Sequence, residues 1–92
     1  MATSVSFLTK IEMSEVNPDE VTKNVQEAIA RLVEARKELG LSQYRVAQLT
    51  GLSRESIRLI ESGRRFPSLR NFLLLCTALE LDPAKALESR HK

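Results

Sequence analysis

Residues 43–62, QYRVAQLTGLSRESIRLIES, constrain this chain more than any other stretch. Gly51 separates two short runs with helical spacing, and a residue without a Cβ takes positive φ there at little cost. Ala47 is small enough for two helix backbones to cross closely, while Val46, Leu52, Ile57 and Ile60 supply an apolar inner side. The spacing predicts two short helices around a sharp turn.

Only one common arrangement needs all of these features at these positions: the helix-turn-helix, which sets its second helix in the major groove of DNA. The flanking sequence predicts three more helices, so the expected class is all-α, a five-helix bundle with a long first helix. Asn17-Pro18-Asp19-Glu20 opens that first helix: Asn caps, Pro fits the first position and two acids complement the dipole. Val21, Val25, Ala28, Ile29, Leu32, Arg36 and Leu39 follow at helical spacing, and Gly40 ends the run. Ser42, Ser53 and Ser68 are the expected caps of helices two, three and four, and Asp82-Pro83 opens a short fifth helix through Leu87. Residues 1–17 form an N-terminal extension, 18–88 the domain and 89–92 a tail. The first sixteen residues fit two patterns, a strand alternation of Val5, Phe7, Thr9, Ile11 and Met13 or a helical turn of Phe7, Leu8 and Ile11.

At 92 residues the chain has room for one modest core and no elaborate active site. A single Cys excludes an internal disulfide and a Cys-only metal site. No nucleophile–base set, metal cluster or phosphate-binding glycine loop is present, so neither catalysis nor a cofactor or metal is expected. With no apolar run of membrane-spanning length and no signal peptide, the expected location is the cytoplasm. Charge is unevenly spread. Residues 1–23 carry Lys10 and Lys23 against Glu12, Glu15, Asp19 and Glu20. Residues 36–70 carry Arg36, Lys37, Arg45, Arg54, Arg58, Arg64, Arg65 and Arg70 against Glu38, Glu55 and Glu61. All but one of those bases are Arg, the side chain suited to forked contacts with phosphate and guanine. Their clustering around the third helix favours nucleic acid.

Residues 29–88 resemble the Cro/phage-repressor, or xenobiotic-response-element, type of helix-turn-helix regulator. The matching pieces are Leu32-x-x-x-Arg36, Gly40-Leu41-Ser42-Gln43, Val46-Ala47, Gly51-Leu52-Ser53, Ile57, Ile60-Glu61-x-Gly63, Pro67-Ser68-Leu69 and Leu79-Glu80-Leu81-Asp82. The resemblance implies a sequence-specific transcriptional regulator, most simply a repressor, bound to a palindromic operator as a homodimer. It implies that Gln43 bonds a phosphate and braces the first recognition residue, that Ser53, Arg54, Glu55, Arg58 and Leu59 meet DNA, and that Arg36 and Glu61 form an internal ion pair.

Helical geometry supports that assignment. At about 100° per residue, Ser53, Ile57, Ile60 and Glu61 point inward, and Glu55, Arg58, Leu59 and Ser62 outward. Arg54 or Arg58 suits guanine, Leu59 a thymine methyl, and Glu55 a cytosine amino group. Glu55 has two other readings, orienting Arg54 or Arg58 and excluding other bases. Arg45, Arg64 and Arg65 are expected at phosphates, Arg70 at phosphate or solvent, and Tyr44 at the core edge or a phosphate. Cys76 reads as core filler, and His91 in the tail lacks a second metal ligand.

Two further functions compete with the regulator reading. One is an antitoxin-type protein that binds operator DNA and also a protein partner through its N-terminal segment. The other is an adaptor that keeps the fold for protein contacts alone. For self-assembly, Leu73, Leu74 and Leu75 cover a wide arc of the fourth helix, and Ala86 and Leu87 extend it into an apolar patch of the kind that marks an interface. Val5, Phe7, Ile11 and Met13 form a second candidate interface.

Overall fold

A computed structural model describes residues 15–88. The readings made for Val5, Phe7, Ile11, Met13 and His91, and the protein-partner surface of the N-terminal segment, lie outside the described residues. Among the described residues five helices follow one another: α1 (Pro18–Glu38), α2 (Gln43–Thr50), α3 (Arg54–Glu61), α4 (Leu69–Ala78) and α5 (Pro83–Ala86). The class is all-α, as the pattern predicts, with no strand among the described residues.

Each helix starts where its own cap dictates. Asn17 Oδ1 accepts from the Asp19 and Glu20 amides at 3.0 and 3.4 Å. Ser42, Ser53 and Ser68 each accept from the amide three residues on, at 3.0, 3.0 and 3.1 Å. Asp82 Oδ1 accepts from the Ala84 amide at 3.0 Å. Every first turn thus has at least one of its orphan N–H groups satisfied locally. Gly51 closes α2 with φ +79°, and its amide donates to the Ala47 carbonyl. That left-handed geometry costs other residue types about 1–2 kcal/mol, which is why glycine suits the turn. Glu80 adopts the same region, φ 56°, after α4, without a glycine.

Ala28, Ile29 and Leu32 of α1 meet Val46 and Ala47 of α2, Ile57 and Ile60 of α3, and Phe72, Leu75 and Cys76 of α4 in one core. Fully burying an aliphatic of this size contributes about 1.5–3 kcal/mol. Cys76 is completely buried, as filler should be, and desolvation raises its thiol pKa. Buried against one another on one side, α2 and α3 leave their other side to solvent.

One expectation is overturned here. Ala86 is not part of an exposed patch; it is 0% exposed and belongs to the core. α5 docks against α1 and α4, and Arg31 reaches across from α1 to donate from Nη1 to the carbonyls of Ala86 (2.8 Å), Lys85 (3.3 Å) and Glu88. This cation at the C-terminus of α5 ties the one-turn helix down with Ala86 underneath. Leu75 is also consumed by the core and Leu74 is half-buried, so of the expected patch Leu73, at 42%, and Leu87, at 58%, are exposed. Among the described residues no helix is long and apolar enough to cross a membrane.

Candidate nucleic-acid interface

The interface is held from behind by one carboxylate. Glu61, the last residue of α3, accepts a forked pair from Arg36 of α1: Nε to Oε2 at 2.7 Å and Nη2 to Oε1 at 2.9 Å. The Arg36 Nη1 donates to the Leu41 carbonyl at 2.8 Å. Gln43, at the start of α2, adds its Nε2 to Glu61 Oε1 at 2.9 Å. The two charged side chains are only 13% and 14% exposed. The predicted ion pair is present, and three helices meet at it. In the protein without DNA the Gln43 amide supports Glu61.

On the solvent side α3 presents Arg54, Glu55 and Arg58, all exposed, with Ile57 and Ile60 buried beneath. Two positions differ from the geometric expectation. Ser53 is exposed rather than inward, since it precedes the helix as its cap; its hydroxyl also donates to Ser56 Oγ at 2.9 Å. Leu59 is half-buried rather than free in solvent. The chain after α3 closes back on it, and its carbonyl accepts from the Arg64 and Arg65 amides at 3.0 and 3.2 Å.

Glu55 grips Arg58 in a fork, Oε1 to Nε at 3.1 Å and Oε2 to Nη2 at 2.6 Å. The hydrogen bond from Arg58, opposed by desolvation and helped by the positive charges of Arg58 and Arg65, holds the Glu55 carboxyl below its usual range. Of the readings open for Glu55, orientation of Arg58 is the one present in the free protein. Arg65 reaches back to Ser56 Oγ at 3.3 Å, and Arg45 pairs with Gln48 Oε1 at 3.3 Å. Arg64 is exposed and makes no side-chain hydrogen bond or ion pair among the described residues. Arg54 stands over the Tyr44 ring, 5.4 Å from its centroid. Arg45, Arg54, Arg58, Arg64 and Arg65 are all exposed on or next to α2 and α3.

A profile of the helix-turn-helix family matches residues 32–85, which contain all of α2, α3 and α4. The chain belongs to this family. This helix-turn-helix regulator is also similar to a solved structure, the restriction-modification controller protein C.AhdI from Aeromonas hydrophila. The two share 39% identity over 72% of this chain and 98% of that one, with a TM-score of 0.63. Comparison with curated proteins gives no match. A DNA-binding transcriptional regulator is thus what the fold, the family and the basic face describe.

Two features of this helix-turn-helix regulator escaped the sequence reading. The Arg31 latch on α5 follows from no local pattern, because its partners are backbone carbonyls more than fifty residues away. The Tyr44–Arg54 stack depends on the angle between α2 and α3. A third feature was only half visible. The exposed leucines of α4 line an open groove of about 600 Å³ with Leu49 of α2, and Arg70 and Thr77 form part of its wall.

The Glu55–Arg58 fork has a pH signature. A depressed carboxyl pKa means the pairing is intact above the ordinary glutamate range and is lost as pH falls through the lower folded-state value. In Arg58→Ala, the Glu55 carboxyl resonance is expected to titrate at higher pH than in the parent. An unchanged midpoint in a carboxyl NMR titration contradicts the fork.

Proposed function

We propose that this protein is a sequence-specific repressor that binds a palindromic operator as a homodimer, with α3 of each copy in the major groove. One observation carries the reading. α3 turns Arg54 and Arg58 to solvent while its opposite side is buried through Ile57 and Ile60 and pinned through Glu61. In this reading Arg54 and Arg58 address guanine edges, Leu59 offers apolar contact at the groove, and Glu55 sets the fork that aims Arg58 or accepts from cytosine. Gln43, Arg45, Ser53, Arg64 and Arg65 surround them at the phosphates. The apolar groove on α4 receives the same groove of a second copy; Leu69, Leu49 and Leu73 are 73%, 47% and 42% exposed there. The similarity to a restriction-modification controller supports promoters of restriction-modification genes as the regulated class. Repression by occupying a promoter needs no surface beyond the DNA face.

Selection of bound sequences from random DNA tests this. The expected result is a palindrome with half-sites about one helical turn apart, roughly 34–36 Å. Enrichment of no sequence, or of one asymmetric site bound by a monomer, overturns the proposal. On the selected operator, Arg54→Ala and Arg58→Ala are expected to cost about 1–3 kcal/mol each where a forked guanine contact is lost, and to relax preference at one base position. Arg64→Ala and Arg65→Ala are expected to weaken all sequences alike and flatten the salt dependence. Titrations at several salt concentrations separate the two classes; four identical responses contradict the division into readers and clamps.

A further inference from the structure

We infer that Tyr44 is a positioning residue for base readout: its ring holds the Arg54 guanidinium in a reading pose, which deepens the proposed function and rests on it. Arg54 is the first residue of α3. A cation in a first turn is opposed by the helix dipole, so its place there does nothing for helix stability. No carboxylate or carbonyl holds it among the described residues. Its contact is with the face of Tyr44, 5.4 Å from guanidinium carbon to ring centroid. The neighbouring reader is held differently, since Glu55 occupies the Nε and Nη2 of Arg58. A ring face attracts a guanidinium without consuming any of its N–H groups. Arg54 is thereby fixed with all five donors free for the O6 and N7 of a guanine.

The ring is itself held. Gln48, one turn further along α2, donates from Nε2 to the Tyr44 hydroxyl at 3.0 Å, and Arg45 donates to Gln48 Oε1 at 3.3 Å. A chain of side chains on the exposed side of α2 therefore ends on the first residue of α3. The pose of the reader is set by the preceding helix, not by α3 alone. This differs from a phosphate role for Tyr44, which needs the hydroxyl and not the ring face.

The experiment measures affinity for the selected operator and its single-base variants, using the full chain carrying Tyr44→Ala, Tyr44→Leu, Tyr44→Phe, Arg54→Ala and the Tyr44→Ala/Arg54→Ala pair. Tyr44→Ala and Tyr44→Leu are expected to reduce discrimination about two- to fivefold at the base position that Arg54→Ala affects. Tyr44→Phe keeps the ring and is expected to keep the discrimination. The double variant is expected to match Arg54→Ala alone at that position. Tyr44→Leu preserves apolar cover, so it remains informative where Tyr44→Ala folds poorly. Equal weakening of all sequences by Tyr44→Phe and Tyr44→Ala overturns the inference in favour of a hydroxyl–phosphate contact. Full discrimination in Tyr44→Leu overturns it with the reader assignment intact. No change of preference in Arg54→Ala overturns the reader assignment itself, and the inference with it.

Discussion

Arg36→Ala is expected to lower the unfolding free energy by about 3 kcal/mol, the lower end of the range for breaking a buried ion pair. The lower end applies because each side chain keeps 13–14% of its surface in water. The change strips Glu61 of two charged hydrogen bonds, leaving it the Gln43 amide, and leaves the Leu41 carbonyl without its 2.8 Å donor. A domain this small has a total stability of about 5–15 kcal/mol, so the loss is a large fraction of it. Replacing Arg36 and Glu61 together with apolar residues of similar volume is expected to cost much less, because no charge is then stranded. Urea unfolding of the parent, the single and the double variant reads both effects. A single variant as stable as the parent contradicts the junction; a double variant as damaged as the single one contradicts the stranded-charge explanation.

The second large effect is expected in assembly. Leu73→Glu sets a carboxylate in the middle of the α4 groove, whose walls are mainly leucine. Leu73 is 42% exposed in the single chain, so the substitution leaves the core intact. Burying that charge against a second copy is costly without a partner. One recognition helix reads only a few base pairs, and linking two recovers affinity through effective concentration, commonly about 10²–10⁴-fold. Operator affinity is therefore expected to fall by that order while half-site affinity and thermal stability hold. Sedimentation with and without DNA provides the check. A Leu73→Glu protein that still binds as a dimer relocates the interface.

The helix boundaries were legible because each is written in one or two neighbouring residues: Asn17-Pro18, Ser42, Ser53, Ser68 and Asp82-Pro83. The Arg36–Glu61 pair was legible because an ion in an apolar stripe needs a partner and the inward side of α3 offers one. What escaped depends on distances between helices. Gln43 is close to Glu61, and Tyr44 is close to Arg54, only once α1, α2 and α3 have docked. Periodicity counts Leu59 as outward, yet the chain returning after Gly63 half covers it. Ala86 looks like an exposed small residue until α5 docks against α1 and α4.

The five caps carry a kinetic consequence. A helix whose start is marked by the residue beside it is biased toward its native limits before any distant contact forms. Folding of such a chain is mostly docking, and domains dominated by local helical contacts fold in about microseconds to milliseconds. Synthesis proceeds at about 5–20 residues per second, so 92 residues take several seconds. Folding of these residues is then about a thousandfold faster than their synthesis, so the step between synthesis and operator binding is assembly of the proposed homodimer, which depends on concentration.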